Sequence, residues 1–446
     1  MQKPENWADL NWYERREKRF EWWRAARGVN FVSDEAKAKH DRRLDRVIKA
    51  IKLEELPDRV PVDIAAGSFM AYYAGYDLKA IMIDPEKMGE SWLKFARDFE
   101  TDTMPMSGAS SGLELQYMQS RTNIWPSGGL PDDAEIIQFV EKEYMHEDEY
   151  DQYFKNPTDY ILRYFLPRTY GVFEPLAKLE PLESFMGVGQ QLMMAVGTPE
   201  FREMAEGLLK AYEVAVNWGE VTSKYERTLR ETGYPAGMAG LALAPFDTIA
   251  DMLRATHGSV MDMFRRPEKI IELAERILPN TLESTVRMAD MGDCPIVAIP
   301  MHKGDDVFMS DQQFEKFYWP TYRKLLIGLI EEGLVPQPII DGSYNRRLEY
   351  IKDLPRSGVL WIMEKTDMAL AKKVLGGHTC IAGNVTGAMM RTCKPDAIRK
   401  YCRWLIDTCA PGGGYILSMG SSLAGWSDPA NIHAMIDTVK EYGRYR

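Results

Sequence analysis

The sequence predicts an α/β fold, a TIM-type barrel of eight β/α units with an N-terminal helical extension and an insertion near the strand-exit end. Three observations point there. Short apolar runs alternate with helical stretches through the second half of the chain. Two of them, Val335-Pro336-Gln337-Pro338-Ile339-Ile340-Asp341 and Gly358-Val359-Leu360-Trp361-Ile362-Met363-Glu364, end in carboxylates. A third, Thr379-Cys380-Ile381-Ala382-Gly383-Asn384, ends in an amide. Apolar strands separated by helices imply a parallel sheet, and polar groups at the strand exits imply a site at one end of it.

The elements fall in order. Residues 1–55 form the helical extension and residues 56–446 the barrel. In the extension, Glu14 to Arg27 reads as a helix whose apolar stripe is Trp12, Phe20, Trp23 and Ala26. It suits an arm packed on the body or on a second subunit, and a substrate lid is the sharper alternative. Leu56-Pro57-Asp58-Arg59-Val60-Pro61-Val62-Asp63-Ile64 turns into a first strand. Thr101-Asp102-Thr103-Met104-Pro105-Met106 is the second, after an amphipathic helix from Pro85 to Phe99. Residues 107–180 carry polar turns and short helices, which suits an insertion. Two runs compete for the third strand, Glu183–Val188 and Leu241–Phe246, with a long helix at about 198–231 between them. Strands are then expected near 296–301, 335–341, 358–364, 379–385 and 414–419. Helices are expected near 311–332, 344–353, 366–375, 395–409 and 428–442. Counting one of the competing runs gives eight strands; a doubly wound open sheet is the alternative fold.

Composition narrows the function. The chain has 446 residues, of which 45% are hydrophobic and 27% charged, and its net charge is −11. That acidity argues against nucleic-acid binding, which needs a basic patch for phosphates. Five cysteines in a chain of this length suit a reducing, cytoplasmic setting. The N-terminus has no apolar signal core, and no apolar run reaches the ~20 residues needed to span a bilayer.

No glycine-rich loop has nucleotide-binding spacing, and Gly412-Gly413-Gly414 precedes a strand instead of opening a helix. Neither a Gly-x-Ser-x-Gly elbow nor a His-Glu-x-x-His pair occurs. His302, Asp341 and Glu364 each follow a predicted strand, so in a barrel they converge on the mouth. There they can share protons or form a one-histidine, two-carboxylate metal site. Each can equally cap a helix or pair with a neighbour such as Lys303 or Lys365. Asp63, Asp102, Asp247 and Asn384 lie at other strand exits. His378-x-Cys380 resembles a zinc pair but enters its strand from the bottom, away from the mouth. Cys402 and Cys409, seven apart on a helix, read as core. The 26 methionines and 11 tryptophans are mostly filler, but Phe246, Tyr344, Trp361 and Trp426 could line a pocket for a flat apolar ligand.

From Leu56 onward the chain resembles the uroporphyrinogen decarboxylase superfamily. The pieces are Pro57-Asp58-Arg59-Val60-Pro61, Phe99-Glu100-Thr101-Asp102, Ala244-Pro245-Phe246, Met309-Ser310 with Phe314 and Pro320, and Gly383-Asn384-Val385. Gly414-Tyr415-Ile416-Leu417-Ser418-Met419-Gly420 follows, with Pro429 and Asn431-Ile432. The resemblance implies a TIM-type barrel and puts Asp102 at the decarboxylases' catalytic aspartate. Those decarboxylases bind substrate carboxylates through an Arg-Gln-Ala-Gly-Arg segment, where this chain reads Asp63-Ile64-Ala65-Ala66-Gly67-Ser68. The other branch comprises corrinoid-dependent methyltransferases. Its thiol-acting members hold zinc with His-x-Cys-Gly and a later cysteine; here those places read Ile339-Ile340-Asp341-Gly342 and Met419-Gly420-Ser421-Ser422. Zinc is therefore not expected.

The resemblance then implies methyl removal from an aryl methyl ether to the corrinoid (cobalamin) of a partner protein. His302, Asp341, Glu364 and Asp102 are the catalytic candidates. Asp63, Phe246, Asp247, Tyr344, Trp361, Asn384 and Trp426 are the binding candidates. No Asp-x-His-x-x-Gly cobalamin motif is present, so the corrinoid would arrive on that partner, and a homodimer is compatible with the chain. A decarboxylase of another substrate and a non-catalytic tetrapyrrole binder are the alternatives.

Overall fold

The computed structural model describes residues 3–105, 110–182 and 186–445. Its centre is a six-stranded parallel sheet of Gly240–Leu241, Ile296–Met301, Val335–Ile340, Leu360–Met363, Cys380–Val385 and Tyr415–Met419, each bonded to the next. Two shorter strand positions carry the sheet round. Leu417 N donates to Pro61 O at 2.9 Å and Asp63 N to Leu417 O at 3.0 Å, while Asp102 N donates to Val62 O at 2.9 Å. These make eight positions of a TIM-type barrel, as the sequence predicts. Leu241 supplies the third strand. Of the competing run, residues 183–185 lie outside the described residues, as does Met106 of the second strand, and Val188 opens a helix.

The strands are almost wholly buried, which explains why they read as continuous apolar runs and not as alternating ones. Pro336 and Pro338 have a further effect. The alternate amides of their strand, Val335 and Asp341, donate back to Pro295 and Met301. The prolines occupy positions whose amides would face the next strand, and they have none to give. Pairing with Leu360–Met363 is accordingly confined to Ile339↔Ile362 and Ile340↔Met363.

Most predicted helices appear, including Pro199–Glu231, Pro395–Cys409 and Pro429–Tyr442. Two depart. The stretch near 311–332 is divided by a π-helical turn at Phe314–Tyr318, and that near 344–353 shrinks to Leu348–Ile351. The insertion after the second strand holds a small three-stranded sheet, built on Asn123–Pro126, and several short helices. None of the described helices is long and apolar enough to cross a membrane.

The extension is an arm packed on the body. Helix α1 (Trp12–Ala25) and helix α2 (Asp34–Lys52) put Phe20, Trp23, Leu44, Val47, Ile48 and Ile51 against the inward residues of the strand beginnings, among them Ile296, Val335, Leu360, Cys380 and Ile416. Trp23 Nε1 donates to Ala236 O at 3.0 Å. The two helices therefore form the barrel's floor, at the end where a lid over the site would be useless. Cys380, half of the His378-x-Cys380 pair, is part of this apolar packing. Phe20 is fully buried there. Phe20→Ala is expected to cost about 3–5 kcal/mol, read from urea unfolding; a loss below about 1 kcal/mol would mean that the floor is not what holds the barrel closed.

Candidate active site

The sheet register builds the site. Met301 pairs with Ile340, Ile340 with Met363, Met363 with Gly383 and Gly383 with Leu417. Leu417 in turn bridges to Val62. One residue further along each strand stand His302, Asp341, Glu364, Asn384, Ser418 and Asp63. Paired residues of neighbouring strands point to the same face, and faces alternate along a strand. The residues two below, Ile339, Ile362, Ala382 and Ile416, pack with the floor inside the barrel. The polar six thus form one inward layer at the C-terminal mouth, where TIM-barrel sites lie.

The same parity removes Trp361 from the expected pocket, and helix packing removes Phe246 and Tyr344. Trp361 is one residue out of step with Leu360 and Ile362, so it faces the surrounding helices and is fully buried. Phe246 is likewise buried against Tyr318. Tyr344 is buried beside Phe314, with Gly304 hard against its hydroxyl. None of the three can line an open cavity. Trp426 is different: it is 62% exposed and leans on Tyr72 at 5.1 Å, on the loop after the last strand.

His302 is the best-connected member. Its Nδ1–H donates to Asp251 Oδ2 at 2.6 Å, and its Nε2 lies 3.5 Å from Asp341 Oδ2. The bond to Asp251 holds the imidazole pKa above its ordinary value, against the opposing effect of burial. Lys303 Nζ sits 3.4 Å from the other Asp251 oxygen and donates to Thr256 Oγ1 at 2.8 Å. Asp251 escaped the sequence reading. Its signal was the spacing from Asp247, four residues along one helix, which puts both carboxylates on one face. The helix opens with proline in Pro245–Asp247 and widens to a π turn at Thr248–Leu253. The insertion braces it, since Met145 N donates to Leu253 O and Arg254 Nη1 to Met145 O.

Asp247 does not face the cavity. It is fully buried and accepts from His302 N at 3.2 Å, Lys303 N at 3.0 Å and Tyr318 Oη at 2.8 Å. It therefore fixes the backbone on which His302 sits. Burial, with Asp251 close by, pushes its carboxyl up to about 6.

On the far side of the mouth, Asp63 accepts from the Thr103 hydroxyl and from Ser418 Oγ at 3.1 Å. Burial raises its pKa. The two hydroxyl donors, which favour the charged form, offset only part of that rise. Asp341 is half exposed at the rim; the surrounding protein raises its carboxyl, while His302 and Lys365 pull the other way. Glu364 has Lys365 as its cationic neighbour at 3.8 Å. Asn384 is a structural clamp: its amide donates to Glu364 O at 3.2 Å and Thr366 O at 3.1 Å, and its carbonyl accepts from Tyr401 Oη at 2.7 Å. Gly420 lets the last loop close over this wall, since a Cβ there would fall 2.3 Å from Glu364 Cα.

Asp102 stands apart. Arg59 grips both its oxygens, at 2.7 and 3.0 Å, Arg46 adds a contact at 2.9 Å, and Val62 N donates at 2.8 Å. Every acceptor site is used, and neither His302 nor Asp341 touches it. Among the described residues, no group of three His, Cys, Asp or Glu side chains is arranged to hold a metal ion.

Stability should report Asp247. Its folded pKa exceeds the unfolded 3.8, so the native state binds the extra proton between those values. Native stability then falls as pH rises from about 4 to about 6, by roughly 3 kcal/mol. His302, also raised, adds to the fall as pH rises through its folded value. Asp247→Asn is expected to flatten this slope in urea titrations at stepped pH; an unchanged slope would contradict the assignment.

The uroporphyrinogen decarboxylase (URO-D) family model matches residues 186–442. Among curated proteins, uroporphyrinogen decarboxylase of Azoarcus sp. (strain BH72) is 24% identical over 141 residues, covering 30% of this chain and 38% of that protein. The Acinetobacter baylyi enzyme is 22% identical over 188 residues, covering 40% and 51%. The chain thus spans between about a third and a half of those relatives' lengths. A solved structure, a methyltransferase from Methanosarcina mazei, aligns over 91% of this chain and 98% of its own with a TM-score of 0.58 at 14% identity, a likeness of fold. With the family model covering more than half of its length, and with the barrel that model implies, this chain belongs to the uroporphyrinogen decarboxylase family.

Proposed function

We propose that this protein is the methyltransferase component of a corrinoid-dependent O-demethylase acting on an aryl methyl ether. The observation that carries the reading is the Asp251–His302–Asp341 chain, set in a mouth that offers acids and hydroxyls where a carboxylate-rich substrate would need arginines. The fold shared with a methyltransferase supports it.

The difficulty of ether cleavage lies in the leaving group. A phenol has a pKa near 10, so its oxygen departs more easily if a proton meets it. His302 suits that task. Asp251 fixes the ring through Nδ1, which leaves Nε2–H directed at the rim beside Asp341. The bond to Asp251 raises the imidazole pKa and so favours the protonated ring. As the methyl–oxygen bond breaks, the Nε2 proton passes to the oxygen and a neutral phenol leaves. Asp341, half exposed, can return a proton from solvent to Nε2. Asp63 and Ser418, opposite, offer hydrogen bonds to a second ring substituent. A reduced corrinoid on a partner protein supplies the methyl acceptor. Leu241, Val307 and Trp426, all exposed and at strand exits, offer apolar surface to such a flat partner group.

Decarboxylation through Asp102 is the weaker reading, because two arginines and a backbone amide already consume that carboxylate.

With a guaiacol-type ether, a corrinoid protein and a reductant, the expected product is the demethylated phenol, measured by chromatography. Failure across a panel of aryl methyl ethers, or release of carbon dioxide without corrinoid, would overturn the reading. His302→Gln should slow phenol release by about 10²–10⁴-fold. Asp251→Asn should move the alkaline limb of the rate profile to lower pH, because the bond that raises the imidazole pKa is lost. A limb left in place would show that His302 is not the acid.

A further inference from the structure

A second cavity lies at the end of the barrel opposite the mouth, between α2 and the C-terminal helix Pro429–Tyr442. Its volume is about 370 Å³, and seven Lys or Arg side chains against three carboxylates line it. In a chain whose net charge is −11, this is a local reversal of sign.

Four of the cations are neutralised. Asp102 holds Arg59 and Arg46, and Asp58 holds Arg46 again. Lys440 pairs with Glu100 at 2.7 Å and Lys39 with Glu35 at 3.2 Å. Three are not. Arg43 is only 5% exposed, yet it meets carbonyls alone: Nε donates to Thr101 O at 2.9 Å and Nη1 to Gly233 O at 2.6 Å. Its Nη2 donates to no described residue, and the guanidinium lies 3.8 Å from the Tyr234 ring centre. Arg42 and Arg444 line the cavity from the solvent side and make no ion pair or hydrogen bond with a described residue.

Burying a guanidinium with no carboxylate in hydrogen-bond contact is costly; Glu100 acts on Arg43 only at a distance, and carbonyl acceptors compensate in part. Planar guanidinium forks match oxyanions bidentately. Asp102, locked between its own arginines, keeps the wall rigid, so such a ligand would find its contacts pre-arranged. The cavity falls in the size range of small-molecule sites.

We propose that this cavity binds a small multivalent oxyanion, a polyphosphate or polycarboxylate group, through Arg42, Arg43 and Arg444. The site is separate from the mouth, so binding itself is the readout. The full-length protein is titrated calorimetrically with pyrophosphate and, separately, with citrate, at ionic strength matched by sodium chloride. Thermal unfolding is followed in parallel. Saturable binding by at least one probe is expected, with a Tm that climbs with ligand concentration; whichever arm binds names the chemistry. Arg42→Ala and Arg444→Ala remove exposed side chains and should fold normally. Each should weaken binding about tenfold, with Arg42→Lys recovering part of the loss. The proposal is overturned if neither probe exceeds the chloride control, or if the double variant binds as tightly as the parent.

Discussion

Everything at the mouth depends on register. Parallel strands whose paired residues share a face lift His302, Asp341, Glu364, Asn384, Ser418 and Asp63 to one height on the inner wall. A slip of a single residue in any strand would send its member outward into the helices. The floor guards that register. By filling the lower barrel with Phe20, Trp23 and the apolar side of α2, the extension pins the inward residues of the strand beginnings, and the layers above follow from the pleat.

Around that geometry the protein places its charge unevenly. Carboxyl groups crowd the mouth, where burial drives Asp247 and Asp63 toward their neutral forms and the bond to Asp251 biases the His302 imidazole toward its charged form. Guanidinium groups crowd the floor side, where Asp102 serves two of them as a fixed counter-ion. Acid and imidazole groups are thereby gathered at the mouth, and guanidinium groups at the floor. Asp102 lies with the guanidinium groups, held by Arg46 and Arg59 and out of contact with His302, although its place in the sequence suggests a catalytic role.

Much of this was legible in the amino-acid order. Apolar runs ending in polar residues located the strands, and with them His302, Asp341, Glu364, Asn384 and Asp63, because a strand exit is a local property of the chain. The face of Trp361 was legible too: it sits at odd spacing from Glu364, so the two cannot both point inward. Phe246 and Tyr344 carried no such mark. Their burial follows from what the neighbouring helices press against them. Asp251, marked in the sequence only by its spacing from Asp247, and Ser418 met their partners only when distant segments came together, 51 residues separating Asp251 from His302 and 355 separating Ser418 from Asp63. By itself, then, the sequence determined the barrel, its polar rim and the family. Only the tertiary structure decided which rim residues touch one another and which carboxylate is already paired with arginine. Contacts between side chains depend on the angles at which packed elements cross, and no local pattern encodes those.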